Sequence, residues 1–583
     1  MRKLLSGNEA IAEALYEAGV KVAAGYPGTP SSEILLNLVA HGEVHSEWCP
    51  NEKVALEVAF GASVAGRRSV AVMKHVGLNV AADPFFTFAY VGVTGGCVVI
   101  TADDPGMHSS QNEQDNRHYA RAAKVPMLEP TDSQEAHDLM LRAYDISEAF
   151  DTPVLYRTTT RIAHSKTPVE LGSRTEHEKA VEHQRAKYVM VPGNAKARHK
   201  LIEERLPKLR ELSNELNTVE WRGRDVGIIA DGVAYQYARE VFPDASTLKL
   251  VMSHPLPDAR IRELAAAVKQ LYVVEELDPF IEEQVRAMGI SCVGKDKLPL
   301  LGELSPEVVA KSLLGTDKSR KVEGLPELPP RPPVLCPGCP HRGIFLVLAK
   351  RDIFVYGDIG CYTLSSAPPI SAMDTCLCMG ASIGGAHGMD MALGEERKGR
   401  VVGVIGDSTF IHSGITGLLN VVYNRGMSTI IVLDNRTTAM TGGQNHPGTG
   451  FTLMGEPTHR LDIEAIARAL GVELVHHFDP YDLKATGEAL DRAFAHKGPT
   501  VLITTRPCVL APARITGDHV AVSDKRACKR CAACLKIGCP AISKVTPGTD
   551  GKKFDVVVSE DLCVGCDVCV QVCKFDAMRR SPP

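Results

Sequence analysis

The apolar pattern changes period again and again along the chain. Residues 7–19, GNEAIAEALYEAG, space their apolar positions along one face of a helix. The run VKVAAGY (20–26) then reads as a strand and ends in the turn PGTPSS. Further strand-like runs stand at 69–75 (SVAVMKH), 97–105 (CVVITADDP) and 152–158 (TPVLYRT). Short apolar strands alternating with helices predict an α/β domain on a mainly parallel sheet over residues 1–165.

The period differs at 194–217. There Leu201, Leu206, Leu209, Leu212 and Leu216 recur at near-helical spacing among charges, and Pro207 predicts a kink or an interruption. Residues 166–222 read as a helical connector. Strand patterns resume at DVGIIADG (225–232), LKLVM (248–252) and LYVVEE (271–276), which predicts a second α/β domain over 223–323. GLPELPPRPP (324–333) carries five prolines and reads as a stiff linker. A third α/β domain is expected at 334–515, with strands RVVGVIGD (400–407), STIIVLDN (428–435) and TVLITT (500–505). A cysteine-rich tail fills 520–583. No short-period repeat of the solenoid kind is visible.

Composition narrows the function classes. A chain of 583 residues holds three to five domains at about 150 residues each. The net charge of -5 offers no basic field for nucleic acid or an anionic membrane, and 5% aromatic residues make a poor stacking platform. No apolar run approaches the ~20 residues of a bilayer span. The start MRKLLSGNEAIAEAL lacks the apolar core of a signal peptide. These features predict a soluble cytoplasmic protein with no nucleic-acid or membrane partner. Seventeen cysteines in that compartment point to metal or redox sites rather than disulfides.

Eight of those cysteines crowd into the tail. Cys563, Cys566, Cys569 and Cys573 have the spacing C-x2-C-x2-C-x3-C of bacterial ferredoxins, where the fourth cysteine ligates the other cluster. Cys528, Cys531, Cys534 and Cys539 form a second run, with four residues before the last cysteine and Pro540 after it. On this rule one [4Fe-4S] cluster takes Cys528, Cys531, Cys534 and Cys573. The other takes Cys539, Cys563, Cys566 and Cys569. Two zinc sites would also use eight thiolates, but zinc ribbons show separated C-x2-C pairs rather than triplets.

A second motif lies upstream. GVIGDSTF (403–410) follows an apolar strand, and Asn435 stands at the end of another. Ligand crevices lie beyond the carboxyl ends of such strands. A hard cation such as Mg²⁺ accepts a carboxylate, an amide carbonyl, a backbone carbonyl and phosphate oxygens. Gly406 would allow close approach to a diphosphate, and a helix expected after Ser413 would offer it amides. By themselves these residues equally describe an ordinary strand-end turn. Gly406–Asp407–Ser408 with Asp434–Asn435 resembles the thiamine diphosphate motif, with Ser408 in place of its second glycine. That resemblance implies Asp407, Asn435 and the Thr437 carbonyl as Mg²⁺ ligands.

Other stretches agree in order as well as wording. CPGCPHRG (336–343), GDIGCYTL (357–364), TRPC (505–508), GYPGTPSSEI (25–34), KHVGLNVAADP (74–84) and SSQNEQDNR (109–117), with the tail, resemble the 2-oxoacid:ferredoxin oxidoreductases, in particular those of the indolepyruvate type. The resemblance spans essentially the whole chain. It implies three parallel-sheet α/β domains, two of them thiamine-diphosphate-binding and the one at 223–323 transketolase C-terminal-like. A C-terminal two-cluster ferredoxin-like α+β domain completes the implied fold. The first domain would hold the aminopyrimidine and the third the diphosphate.

The family's residues carry over one at a time. Glu52 in NEKVALEVAFGAS matches the glutamate that contacts the pyrimidine ring nitrogen; an apolar site would raise such a carboxyl's pKa and suit it to proton transfer. Glu57 is an alternative, and a surface ion pair is the plainer reading. Thr29 matches a residue near the substrate carboxylate, against a plain helix-start turn. Cys336, Cys339, Cys361 and Cys508 match the four ligands of a proximal cluster, against unligated thiols or a zinc-binding C-x2-C pair. Cys376 and Cys378 flank a glycine-rich turn near the cofactor motif, and Cys49, Cys97 and Cys292 read as small buried residues.

The implied reaction is oxidative decarboxylation of aryl 2-oxoacids with coenzyme A, giving acyl-CoA, carbon dioxide and reduced ferredoxin. A smaller beta subunit, two copies of each subunit and an anaerobic cytoplasm complete the implied picture. Two competing functions stay open here. One is non-oxidative decarboxylation with the tail as scaffold; the other is a non-catalytic electron-transfer subunit.

Overall fold

A computed structural model gives the fold. It describes residues 1–181, 183–317, 331–394, 399–512, 516–546 and 553–581, with positions 324, 326, 328 and 548. The chain forms two compact units, Met1–Leu325 and Pro326–Pro583. Of the linker expected at 324–333, positions 325, 327, 329 and 330 lie outside the described residues. Among the described residues, no helix is long and apolar enough to cross a membrane.

The first unit opens with the helix Gly7–Glu17. Ser6 and Glu9 form its capping box, which satisfies two otherwise orphaned amides. The helix packs against the helices Ser133–Phe150 and Ser32–Leu38, and the unit's main sheet has seven strands ordered Met252–His254, Met127–Leu128, Val154–Thr159, Cys97–Asp103, Ser69–Lys74, Val22–Gly25, His45–Trp48. Every pairing is parallel except that of Met252–His254. The strands Ser69–Lys74, Cys97–Asp103 and Val154–Thr159 are buried at every residue, because helices cover both faces. The edge strand Met252–His254 comes from the stretch read as a second domain.

Residues 166–222 are more than a helical connector. Lys166–Glu170 pairs antiparallel with Arg2–Ser6, and Thr218–Glu220 joins the edge of a second sheet. Between them the helix Pro192–Leu216 runs unbroken through Pro207. Its buried stripe is Ile202, Arg205, Leu209 and Leu212, while Leu201 is exposed. Arg205 donates to the Asp151 carbonyl at 2.7 Å. That anchored face outweighs the hydrogen bond lost at the proline, so Pro207 does not interrupt the helix. The second sheet is ordered Gln270–Val274, Val226–Asp231, Ser246–Leu250, Thr218–Glu220.

Within this unit, carboxyl ends of strands from both sheets carry a buried charge network. Arg117 pairs with Asp115 and Glu275 at 2.6 Å and with Asp231 at 3.0 Å. Arg157 pairs with Asp103 at 2.7 Å and with Glu129, which also accepts from Ser253. Glu276 accepts the Leu304 amide at 3.0 Å. Burial alone would raise Asp115, but Arg117 and Arg157 outweigh it and hold the carboxyl at about 2. Burial pushes Glu276 up to about 7 and also raises Asp103, Glu129, Asp231 and Glu275.

The second unit is built on five parallel strands, ordered Phe354–Tyr356, Val401–Gly406, Thr429–Asp434, Thr500–Thr505, Leu474–Phe478. Its tail holds two antiparallel pairs, Ala521–Ser523 with Met578–Arg580 and Ile542–Val545 with Asp555–Val558. The short helix Val568–Val572 and the turn Leu535–Ile537 complete it.

Candidate active site

In the second unit four adjacent strands end side by side. Cys361 follows Phe354–Tyr356, Asp407 follows Val401–Gly406, Asn435 follows Thr429–Asp434, and Cys508 follows Thr500–Thr505. The register pairs Gly406 with Leu433 and Asp434 with Thr505, which sets these residues level. This is the carboxyl edge where open α/β sheets bind ligands.

Asp407 is buried. Its Oδ1 accepts the Ser408 amide at 2.8 Å, its Oδ2 accepts the Arg436 amide at 2.8 Å, and His446 Nε2 lies 3.3 Å from Oδ2. Burial raises its pKa, but His446 and the amides pull it below the ordinary value. Asn435 Oδ1 accepts the Thr437 amide at 3.2 Å, and its Nδ2 donates to His341 Nε2 at 3.3 Å. Burial lowers His341 to about 4, with the Asp407 charge opposing. Ser408 Oγ accepts from Thr438 at 2.9 Å, and the Gly406 amide donates to Tyr362 Oη at 3.0 Å.

The helix after the motif begins earlier than expected. It starts at Asp407, runs through Thr409, widens into a π-turn at Phe410–Gly414 and continues as Ile415–Tyr423. Its first-turn amides therefore stand at the motif itself. Those after Ser413 are inside the helix and already used. Single π-turns of this kind recur at functional sites.

Cys336, Cys339, Cys361 and Cys508 are brought together beside this edge. Burial raises Cys336, and raises Cys339 to about 12 and Cys361 to about 11. Neighbouring thiolates add to each shift: Cys508 acts on Cys336 and Cys361, while Cys336 and Cys361 act on Cys339. The Cys508 amide donates to the Asn435 carbonyl at 3.0 Å, so the sulfur set and the oxygen-donor set share a direct bond.

The tail encloses two cavities. One is lined by Cys539, Cys563, Cys566 and Cys569, the other by Cys528, Cys531, Cys534 and Cys573. Sulfurs around a tetrahedral zinc lie about 3.8 Å apart, given Zn–S bonds of about 2.3 Å. Among the described residues, no three of these twelve sulfurs lie mutually within 4.8 Å. As placed, the sulfurs are spread wider than around a tetrahedral zinc. The oxygen donors at Asp407, Asn435 and Thr437 suit a hard cation.

In the first unit Glu52 opens the helix Glu52–Val64 behind the cap Asn51. It is buried, and Gly77 approaches it so closely that a Cβ there would meet Glu52 Oε1 at 2.6 Å. Glu57 is exposed and pairs with Lys53, so the surface ion pair belongs to Glu57. Thr29 is half-buried ahead of the helix Ser32–Leu38, whose cap position is Ser31, not Thr29. The stretches KHVGLN and SSQNEQ meet here: Lys74 donates to the Ser109 carbonyl at 2.7 Å, and His75 Nε2 lies 3.0 Å from Asn112 Oδ1. Burial lowers the Lys74 ammonium to about 8.

Several site residues carry no flag in the sequence reading. Asp358 is buried, raised by burial to about 6, and accepts the Gly380 and Ser382 amides at 3.0 Å. It ties the Cys361 loop to the glycine-rich turn. His341, Asp358 and Tyr362 sit inside CPGCPHRG and GDIGCYTL, which drew attention for their cysteines. Cys376 and Cys378 are exposed, whereas Cys49, Cys97 and Cys292 are buried.

Three family models match parts of the chain. The model described as pyruvate flavodoxin/ferredoxin oxidoreductase, thiamine diP-binding, matches residues 13–209. The thiamine pyrophosphate enzyme C-terminal TPP-binding domain matches 358–504, and the 4Fe-4S binding domain matches 556–579. The indolepyruvate oxidoreductase subunit IorA of Archaeoglobus fulgidus is 43% identical over 614 residues, covering 99% of this chain and 97% of that protein. Its counterpart in Methanothermobacter thermautotrophicus is 42% identical over 609 residues, with the same coverage. A solved 2-oxoglutarate:ferredoxin oxidoreductase from Magnetococcus marinus aligns with 54% of this chain and 65% of its own at 16% identity and a TM-score of 0.47, too loose a likeness to add weight. With thiamine diphosphate-binding and 4Fe-4S domains in place and near-full-length relatives above 40% identity, the chain belongs to the indolepyruvate oxidoreductase IorA family of thiamine diphosphate-dependent oxidoreductases.

Proposed function

We propose that this chain is the catalytic subunit of an enzyme that oxidatively decarboxylates aryl 2-oxoacids such as indolepyruvate. Coenzyme A takes the acyl group, carbon dioxide leaves and ferredoxin is reduced. The observation that carries this is the Cys508–Asn435 backbone bond, which joins a four-cysteine set to an oxygen-donor site at one sheet edge. The name shared by the near-full-length relatives supplies the substrate class.

Each residue then has a role. The Asp407 carboxylate, the Asn435 amide oxygen and the Thr437 carbonyl hold Mg²⁺, and Gly406 and Ser408 flank the diphosphate. His341 keeps the Asn435 amide oriented, as partners behind metal ligands do. Glu52 meets the aminopyrimidine ring nitrogen and exchanges a proton there. Thr29 contacts the substrate carboxylate. Thiamine diphosphate, when bound, supplies the electron sink that decarboxylation needs.

Cys336, Cys339, Cys361 and Cys508 hold a proximal [4Fe-4S] cluster. Cys528, Cys531, Cys534 and Cys573 hold a second, and Cys539, Cys563, Cys566 and Cys569 a third. The ferredoxin spacing of the tail cysteines supports iron over zinc. Residues 1–165 serve as the pyrimidine domain, 223–323 as a transketolase C-terminal-like domain, 334–515 as the diphosphate domain and 520–583 as the ferredoxin-like domain. A smaller beta subunit completes a heterotetramer of two alpha and two beta chains in a low-oxygen cytoplasm.

The test is anaerobic purification with the smaller subunit, followed by iron, sulfide, zinc and thiamine assays. At four irons per cubane, about twelve irons per chain are expected. About eight would remove the proximal cluster, and zinc in place of iron would reject the redox reading. Aryl pyruvates should reduce a viologen dye only when coenzyme A is supplied for turnover. Aldehyde formation with no dye reduction would favour the non-oxidative reaction.

A further inference from the structure

Among the described residues, one buried cation in the second unit has no anion. Arg342 follows Cys339 by three residues in CPGCPHRG and is buried at 2% exposure. Its Nη1 donates to the Ile537 carbonyl at 2.7 Å; its Nη2 donates to the Leu335 and Cys336 carbonyls at 2.6 and 3.1 Å. Its Nε has no hydrogen-bond partner. Among the described residues no carboxylate pairs with it. A buried charge of that kind is costly unless something compensates it.

Its surroundings show what does. Arg342 lines the cavity formed by Cys539, Cys563, Cys566 and Cys569. The one carboxylate on that wall, Asp567, is taken by His519 at 2.8 Å and Arg580 at 2.6 Å. On the other side Arg342 holds the Cys336 carbonyl at 3.1 Å. The two sulfur sets are pressed together at this point. Gly338, at φ 63, lies between Cys336 and Cys339, and a Cβ on it would meet Val564 Cγ2 at 1.9 Å. Tyr481 donates to the Gly338 carbonyl, and Gln571 Nε2 donates to the Tyr481 carbonyl at 2.7 Å.

We propose that Arg342 is the shared counter-charge of the Cys336/Cys339/Cys361/Cys508 and Cys539/Cys563/Cys566/Cys569 cluster sites, with its Nε–H directed to sulfur, and that it raises the potential at which these two clusters accept an electron. The proposal rests on the cluster assignment under Proposed function. Reduction adds one negative charge to a cluster in a low-dielectric site, and a fixed cation beside it favours the reduced form. Hydrogen bonds to cluster sulfur act in the same direction. Each electron comes from the oxidised substrate and leaves to ferredoxin. Arg342 neither gains nor loses a proton, so it is a positioning residue rather than a catalytic one.

The test uses the whole two-subunit enzyme, purified anaerobically as wild type, Arg342→Gln and Arg342→Lys. Iron is counted, and each cluster is followed by spectroscopic redox titration. Arg342→Gln should weaken reduction of the two flanking clusters at least tenfold, a fall of about 59 mV for one electron. The Cys528/Cys531/Cys534/Cys573 cluster, whose cavity Arg342 does not line, should not move and serves as the internal control. Arg342→Lys should keep most of the wild-type potential. Unchanged potentials in Arg342→Gln at full iron content would overturn the proposal, as would equal falls in both variants. Should Arg342→Gln lose iron, Arg342→Lys decides: wild-type potentials support the charge role, and a tenfold fall or loss of iron there overturns it. A wild type with only about eight irons defeats the cluster assignment and the shared counter-charge together, and the iron count alone separates that result from the others.

Discussion

Arg117 in the first unit and Arg342 in the second are both buried guanidiniums, and they are held in opposite ways. Arg117 is ringed by Asp115, Asp231 and Glu275, and with Arg157 it pairs with five buried carboxylates. That network is rich in anions and answers its own charge by pairing and by holding protons. Among the described residues Arg342 donates to carbonyls alone and lines the Cys539/Cys563/Cys566/Cys569 cavity. Both regions place charge near carboxyl ends of parallel strands, yet one closes on itself and the other does not. A buried charge points to a ligand only where the chain leaves it unanswered.

The comparison breaks most sharply at Arg117. Arg117→Met takes the nearest cation from three buried carboxylates and should destabilise the first unit by about 3–5 kcal/mol. The urea midpoint measures this; a change below about 1 kcal/mol would mean the network does not hold the two sheets of that unit together.

A smaller effect is expected at Glu276. Its folded pKa stands at about 7 against an ordinary value of 4.5, because burial disfavours the anion. Folding therefore favours its protonated form. The stabilisation is complete below 4.5 and is lost as pH rises through 7. At about 1.4 kcal/mol per pH unit this amounts to about 3 kcal/mol. Asp115 acts in the opposite sense: its folded value of about 2 gives stability above 3.8 that is lost only as pH falls through 2. The two windows do not overlap. Glu276→Gln should flatten the stability profile between pH 4.5 and 7, and a wild-type slope in that variant would count against the assignment.

The smallest of the three sharpens the open side of the comparison. Asp407→Asn keeps the shape of the strand end but removes the negative charge beside His446. Thiamine diphosphate with Mg²⁺ should bind about 10–100-fold more weakly, by calorimetric titration, with the urea midpoint nearly unchanged. Unaltered affinity would remove Asp407 from the cation site.

What the sequence reveals follows from how local each feature is. The strands Ser69–Lys74, Val401–Gly406 and Thr429–Asp434 read as apolar runs because both their faces are covered. His45–Trp48 and Leu474–Phe478 do not, because histidines and a glutamate interrupt them. The four-and-four grouping of the tail cysteines is legible from spacing, because the ferredoxin pattern gives three cysteines of one run to each set and the fourth to the other. The charge network is not: Arg117 meets Asp231 and Glu275 across more than a hundred residues, and no spacing rule reaches that far. Pro207 misleads because the packed face of its helix outweighs a local preference. Arg342 and His341 sit within a motif prized for its cysteines, and only the fold shows that they diverge, one to the tail cage and one to Asn435.

The central claim is that substrate electrons enter clusters carried on this same chain. Rapid mixing of the anaerobic two-subunit enzyme with an aryl 2-oxoacid, without coenzyme A or ferredoxin, tests it most directly. Carbon dioxide release together with bleaching of the iron–sulfur absorption is the predicted result. Carbon dioxide and aldehyde appearing while that absorption stays constant would contradict it.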